Sequence, residues 1–361
     1  MTGWLDAHAH YVTERYAEEC RAAGHAHPDG MPGLPGWSVE AALDVMGTAG
    51  ISAAVLSVSS PGVHFGAASL AENRAARDLA RHVNDAGAEI AAGHPGRFGL
   101  SAVLPLPDVD GALAELGRAY GELGADAIAL ETNYHGRYLG DPAFAPVLAE
   151  LDARAAVVTL HPTSPPGADR TAFGRPAPMI EFLFDTTRCV VDLALGGTLA
   201  RYSRIRWIVP HAGAVLPVVA HRVAGMSTLA GTPVDMPAVL AGLYYDLAGP
   251  VLPVALNALL KIAGPGRLLY GSDFPFTPAP TVARLSAALR EAPALNNARL
   301  EPAPGSAAAA LFPRLQAAVP NRGQLPQREG AVITDGPSAT IIYAMSYAVR
   351  TSCRSRSLAT T

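Results

Sequence analysis

The chain has 361 residues, half of them hydrophobic and 16% charged, which is enough apolar material for a sizeable core and too much for disorder along the whole length. A formal net charge of -4, with both signs scattered, argues against nucleic acid or an anionic membrane as the main partner. Cys20, Cys189 and Cys353 are far apart and form no CxxC pair, no basic-apolar leader precedes the first strand, and no run of about 18 apolar residues suggests a membrane span; a cytoplasmic protein without disulfides is expected.

The first apolar run, "GWLDAH" (3–8), reads as a strand. It continues into "DAHAH", where Asp6, His8 and His10 stand at alternate positions. Alternate side chains of a strand share a face, so a carboxylate and two imidazoles are expected at one spot. A divalent metal is the usual reason to gather such groups; a strand with two satisfied histidines is the alternative. "SVEAALDVMGTAG" then reads as an amphipathic helix, with Ser38 as its N-cap and an end near Gly47 or Gly50.

Strands are predicted at 51–58, 97–105, 126–132, 155–161, 205–211, 243–248 and 267–273. Most are continuous apolar runs, the pattern of strands buried on both faces of a parallel sheet. Helices alternate with them: "SLAENRAARDLARHVNDAG", expected to stop at Gly87, "DVDGALAELGRAYGELG" with Asp108 as cap, and "DPAFAPVLAELDARA" with Asp141 as cap. Eight strands alternating with helices over about 300 residues is the count of an α/β chain of the (β/α)8 TIM-barrel type. A doubly wound open sheet is the rival, but no GxGxxG follows a strand. "GSAAAALFPRL" is expected to be a last helix docked on the barrel. The division expected is a barrel at 1–319 and a poorly ordered appendage at 320–361 without a chemical role.

A barrel of this type carries its active site at the carboxyl ends of its strands. His8 and His10 follow the first strand, His161 the fifth, His211 the sixth and Asp273 the eighth. A catalytic divalent metal needs about three or four nitrogen or oxygen ligands and an open position. His8, His10, His161 and Asp273 would supply them, and His211 has the right type and place for an acid or base near neutral pH. The other seven histidines read as solvated or locally bonded, although "NYHGRYLG" after the fourth strand offers Tyr134 and His135 to a pocket wall. Phe65, Phe274 and Phe276 are candidates for an apolar slot, with ordinary core packing as the alternative for each.

As a set, "DAHAH", "HP" at 161–162, "HAGA" at 211–214 and "GSDFPF" at 271–276 resemble the amidohydrolase superfamily, in particular its branch related to aminocarboxymuconate-semialdehyde decarboxylase. The resemblance covers about residues 1–316 and implies a metal-dependent (β/α)8 barrel. It maps His8, His10, His161 and Asp273 onto metal ligands and His211 onto a catalytic histidine, with Asp273 also able to shuttle a proton. Asp6 stands where some of these decarboxylases carry a carboxylate at the edge of the metal site. "PGWSVEAALDVM", "SSPGVHFG" and "NYHGRYLGDPAF" are most similar to 6-methylsalicylate decarboxylases.

The activity so implied is non-oxidative decarboxylation of a 2-hydroxybenzoate-type acid, with Asp6, Phe65, Tyr134, His135, Arg222 and Phe274 as candidate substrate contacts. A mononuclear hydrolase of a lactone or amide on the same residues is the alternative. A non-enzymatic barrel is a second, disfavoured by the open ligand set. "ALETNY" carries no lysine, so one metal rather than a bridged pair is expected, zinc first and manganese second. Arg222 matches a family arginine that reaches across a dimer interface, which implies a homodimer. Two departures stand out. Ala214 replaces a glycine common in the family, and no arginine lies between Arg21 and Arg74, which weakens a dicarboxylate substrate.

Overall fold

The structure, a computed structural model, describes residues 3–66, 69–296, 300 and 306–315. The predicted appendage at 320–361 lies outside the described residues. Eight strands form one sheet: β1 (Trp4–His10), β2 (Ile51–Ser57), β3 (Phe98–Val103), β4 (Ala127–Glu131), β5 (Val157–His161), β6 (Arg206–Val209), β7 (Tyr244–Asp246) and β8 (Leu268–Leu269). They pair in parallel, each with the next in chain order. A bridge between Asp6 and Tyr270 brings β8 back to β1, where the Ala7 amide donates to the Tyr270 carbonyl at 2.9 Å. The expected (β/α)8 barrel is present.

Side chains on the inner face meet across the barrel. Ser101 on β3 and Thr159 on β5, strands that are not neighbours, bond at 2.9 Å. Leu5, Ala53, Val55, Ala127 and Val157 cluster with Ala308 and Leu311 of the last helix, Ala307–Leu311, and with Phe312 that follows it. That helix, capped by Ser306, docks on the barrel as expected. A larger apolar cluster joins the outward residues of the strands, such as Ala54, Leu56 and Leu100, to the surrounding helices. No helix among the described residues is long and apolar enough to cross a membrane.

Boundaries differ where local chemistry overrides composition. β6 ends at Val209, before Pro210 and a 3-10 turn at His211–Gly213. β8 is only two residues long, because Gly271–Asp273 already form the active-site rim. The helix after β2 runs from Leu70 to Gly93, through the stop expected at Gly87. Gly87 serves close packing: a Cβ there would stand 2.7 Å from Leu100 Cδ1 and 2.8 Å from the Tyr11 oxygen.

Gly87→Ala sets two effects against each other. The gain in helix propensity is about 1 kcal/mol, while overpacking a closed core costs about 1–3 kcal/mol. Net destabilisation is expected, read as a lower denaturation midpoint with an unchanged m-value; a stabilised variant would refute the packing role.

Candidate active site

Polar residues from four strand ends meet at the carboxyl rim of the barrel. β1 delivers His8 and His10, whose ring centroids are 4.9 Å apart. His161 ends β5, with its centroid 4.9 Å from His10 and 5.5 Å from His8. Ligand nitrogens of these three buried residues all lie within 4.8 Å of one another. Asp273 Oδ1 is 3.4 Å from His10 Nε2 and 3.8 Å from His8 Nε2. His211 joins from the turn after β6, 5.1 Å from the His8 ring.

The outward nitrogen of each imidazole is held by a fixed partner. His8 Nδ1 lies 2.9 Å from Asp246 Oδ2. His161 Nδ1 donates to the Pro162 carbonyl at 2.7 Å, an acceptor that admits only the Nδ1–H tautomer. His10 Nδ1 meets Ser57 Oγ at 3.0 Å, and that hydroxyl donates in turn to the Ala9 carbonyl. The Nε2 of His10 and of His161 is therefore left with its lone pair, the latter 3.2 Å from Ser59 Oγ, and His8 reaches the same state on giving up the proton that its acidic neighbours favour. Nε2 of His8 and of His10 is buried without a hydrogen-bond partner. Unpartnered buried nitrogens facing a carboxylate are costly alone and suit a divalent cation. The donor set fits such an ion, with the outward bonds as the usual support of a histidine ligand.

The charges in the cluster are strongly coupled. Burial pulls His8 down, but Asp246, Asp273 and Asp6 outweigh it and lift its pKa to about 9. Burial dominates at His10, lowered to about 3, and at His211, lowered to about 4 with the charge of His8 adding to it. Burial alone would raise Asp273, yet His10, His8 and His211 hold its carboxyl well below the usual range. At neutral pH the site thus offers neutral His10 and His211 and an ionised Asp273.

The backbone at the rim is unusual. His211, Ala212, Ala214 and Asp273 all have positive φ, between 53° and 57°. Ala214 combines φ 55° with ψ -121°, a conformation suited to glycine, so the family glycine missing here has a backbone reason. Gly271 leaves room for His8, whose Cβ would lie 3.0 Å from a Cβ at 271.

Not every expected contact converges. A register shift in β1 between Asp6 and Ala9 breaks the simple alternation. Asp6 Oδ1 accepts from the amides of His8 at 3.1 Å and Ser272 at 3.0 Å, so it braces the rim rather than facing the three imidazoles. Phe65 packs on Tyr16 and His25. Tyr134 is buried, and its hydroxyl accepts from the Glu131 amide. His135 Nε2 meets His64 Nδ1 at 3.0 Å, so these two imidazoles join the loops after β4 and β2. Phe274 packs against the core, while Phe276 meets His10 edge-on at 5.5 Å. Arg222 is exposed on the helix Leu216–Leu229 and lines a surface groove with Phe184 and Met226.

Some polar neighbours escaped the sequence reading. Asp246, at the end of β7, holds His8 and accepts from the amides of His211 and Ala248, each at 3.0 Å. Its signal was the same as that of Asp273: a carboxylate closing an apolar run, "LYYD". Ser59 Oγ, 3.2 Å from His161 Nε2, gave no such signal, since serines crowd that turn.

A closed parallel barrel with three imidazoles and a carboxylate at one rim defines a metal-binding (β/α)8 enzyme scaffold. The amidohydrolase family pattern matches residues 5–314, and the chain belongs to that family. It is 35% identical over 331 residues to the 6-methylsalicylic acid decarboxylase of Aspergillus aculeatus, covering 88% of this chain and 98% of that protein. It is 34% identical to the 6-methylsalicylic acid decarboxylase of Penicillium expansum, over 86% and 97% of the two chains. A crystal structure of an amidohydrolase superposes with a TM-score of 0.75 at 35% identity, over 81% of this chain and 94% of that one. The 2,6-dihydroxybenzoate decarboxylase, at 22% identity and a TM-score of 0.69, shares the fold.

An ion taken up at His8 Nε2 would displace the proton that Asp246, Asp273 and Asp6 hold on that ring, whose pKa they lift to about 9 against burial. Calorimetry in buffers of different ionisation heat is expected to record about one proton released per ion. Affinity should rise about tenfold per pH unit and flatten near pH 9. In Asp246→Asn the proton release should largely vanish and affinity fall ~10–100-fold. An unchanged proton count in that variant would refute the coupling.

Proposed function

We propose that this protein is a divalent-metal-dependent, non-oxidative decarboxylase of a small 2-hydroxybenzoate-type acid such as 6-methylsalicylate. The observation that carries this reading is the match to 6-methylsalicylic acid decarboxylases along nearly their whole length. A carboxy-lyase is favoured over the hydrolase alternative on that ground. His8, His10, His161 and Asp273 are the proposed ligands of one ion, zinc first on its imidazole-rich donors and manganese second. When bound, the ion supplies Lewis acidity and fixes the acid's oxygens.

The chain's own groups account for the proton movements. Ionised Asp273 takes the phenolic proton and delivers it to the ring carbon bearing the carboxylate. Carbon dioxide leaves, and its bonding electron pair restores the aromatic ring. A proton from water then neutralises the phenolate. His211, neutral and with an unpartnered buried Nδ1, bonds the substrate oxygen and holds it in line with Asp273. Phe276, beside His10, supplies an apolar ring contact, and Phe274 backs the rim from the core. Tyr134, His135 and Phe65 support the loops around the site through their own packing, and Asp6 keeps the rim in place. Residues 1–319 are the proposed catalytic unit.

A homodimer belongs to this reading. Phe184, Leu195 and Met226 are exposed and line one groove with Arg222, and Val218 and Leu229 are exposed on the same helix as Arg222. An apolar face of this kind favours a second copy. From there Arg222 would reach the partner's site.

Metal-loaded protein given 6-methylsalicylate without an oxidant is expected to release carbon dioxide; lactone opening without carbon dioxide would overturn the proposal. His211→Asn should keep its metal and lose ~10²–10⁴-fold in turnover, the usual span of a positioned proton-handling group. Light scattering should give the mass of a dimer, and Met226→Glu should yield monomers with reduced turnover. A monomeric, fully active wild type would remove the dimer from the reading.

A further inference from the structure

The end of β4 holds a buried carboxylate with no role so far. Glu131 is 7% exposed, and its Oε2 has no hydrogen-bond partner. Glu131 and His161 are register partners in the parallel pair β4–β5, which sets the two side chains beside each other. Glu131 Oε2 stands 3.5 Å from His161 Nδ1. Gly62, at φ 72°, lies against this carboxyl on the loop after β2. A carboxylate buried without a compensating partner costs several kcal/mol in general, so its retention calls for a task.

We propose that Glu131 is a positioning residue for His161, holding the imidazole from behind while Nε2 faces the ion. The inference rests on the metal-site reading above. The Pro162 carbonyl already fixes the Nδ1–H tautomer, but a carbonyl is the weaker acceptor. Burial raises the pKa of the Glu131 carboxyl and His161 opposes that rise; the ionised form places negative charge on the side of the ring opposite the ligand nitrogen. That charge gains most when Nε2 gives its lone pair to a cation and the ring becomes more positive. The 3.5 Å separation is too long for an ordinary hydrogen bond, so the pair is an electrostatic contact poised to tighten. Glu131 then does for His161 what Asp246 does for His8, from the other side of the cluster.

The test compares zinc and manganese affinity, by competition with a chromogenic chelator, in wild type, Glu131→Gln and Glu131→Asp, with thermal unfolding of each metal-free protein. Glu131→Gln keeps the shape and removes the charge; it is expected to bind each ion about tenfold or more weakly, while its metal-free midpoint stays level or rises. Glu131→Asp, which keeps the charge but withdraws it, should fall between, and it stands in should Glu131→Gln fail to fold. Affinity within twofold of wild type in a folded variant would overturn the proposal, as would a lowered metal-free midpoint with unchanged affinity. A wild type that binds neither ion would instead overturn the metal-site reading itself.

Discussion

Three imidazoles can share one cation only if each keeps its inward nitrogen free of a proton. That condition is set on the far side of each ring. Asp246, Ser57 and the Pro162 carbonyl each engage one Nδ1, which turns the three Nε2 atoms toward the shared space. The partners come from three separate strand ends, so the tautomers depend on the barrel being closed in register. Closure at the rim is made by the Asp273 amide on the His8 carbonyl and the His10 amide on the Phe274 carbonyl, each at 2.8 Å. The same short segment therefore completes the barrel and presents a carboxylate to two histidines.

The electrostatic account follows from that arrangement. Glu131, Asp246 and Asp273 are packed around three histidines, the first two buried and Asp273 partly exposed. Without an ion the charges find a compromise: His8 takes up a proton, while His10 and His211 stay neutral because burial outweighs their acidic neighbours. An ion removes the need for the His8 proton and answers the surplus negative charge. Asp6 meets its burial differently. Burial lifts its carboxyl to about 7, while two amide donors pull the other way and tie it to the rim.

Much of this was legible in the sequence, because burial on two faces writes strands as apolar runs and the barrel puts function at their ends. His8, His10, His161, His211 and Asp273 were visible as polar residues closing such runs. Asp246 and Glu131 carried the same mark and went unread, since a carboxylate that serves another side chain looks no different from one that serves a metal. Alternation failed at Asp6, because a register shift in β1 is a three-dimensional accommodation that spacing does not encode. Gly87 misled for a related reason: composition equates glycine with a stop, while here the missing Cβ makes room for Tyr11 and Leu100.

The left-handed backbone around His211 and Asp273 links these themes. Non-glycine residues in such conformations persist only where surrounding contacts over-determine them. At His211 the amide is held by Asp246, which also holds His8, so the strained turn and the metal-side imidazole share one anchor. At Asp273 the amide is held by the His8 carbonyl. Both proposed catalytic groups are thus fixed through bonds that pass through His8 or its carboxylate partner, and displacement of one would disturb the others. A carboxylate at the end of β7 therefore has two tasks that no apolar residue could combine: it sets the proton on a ligand and it pins the turn that carries the neighbouring histidine.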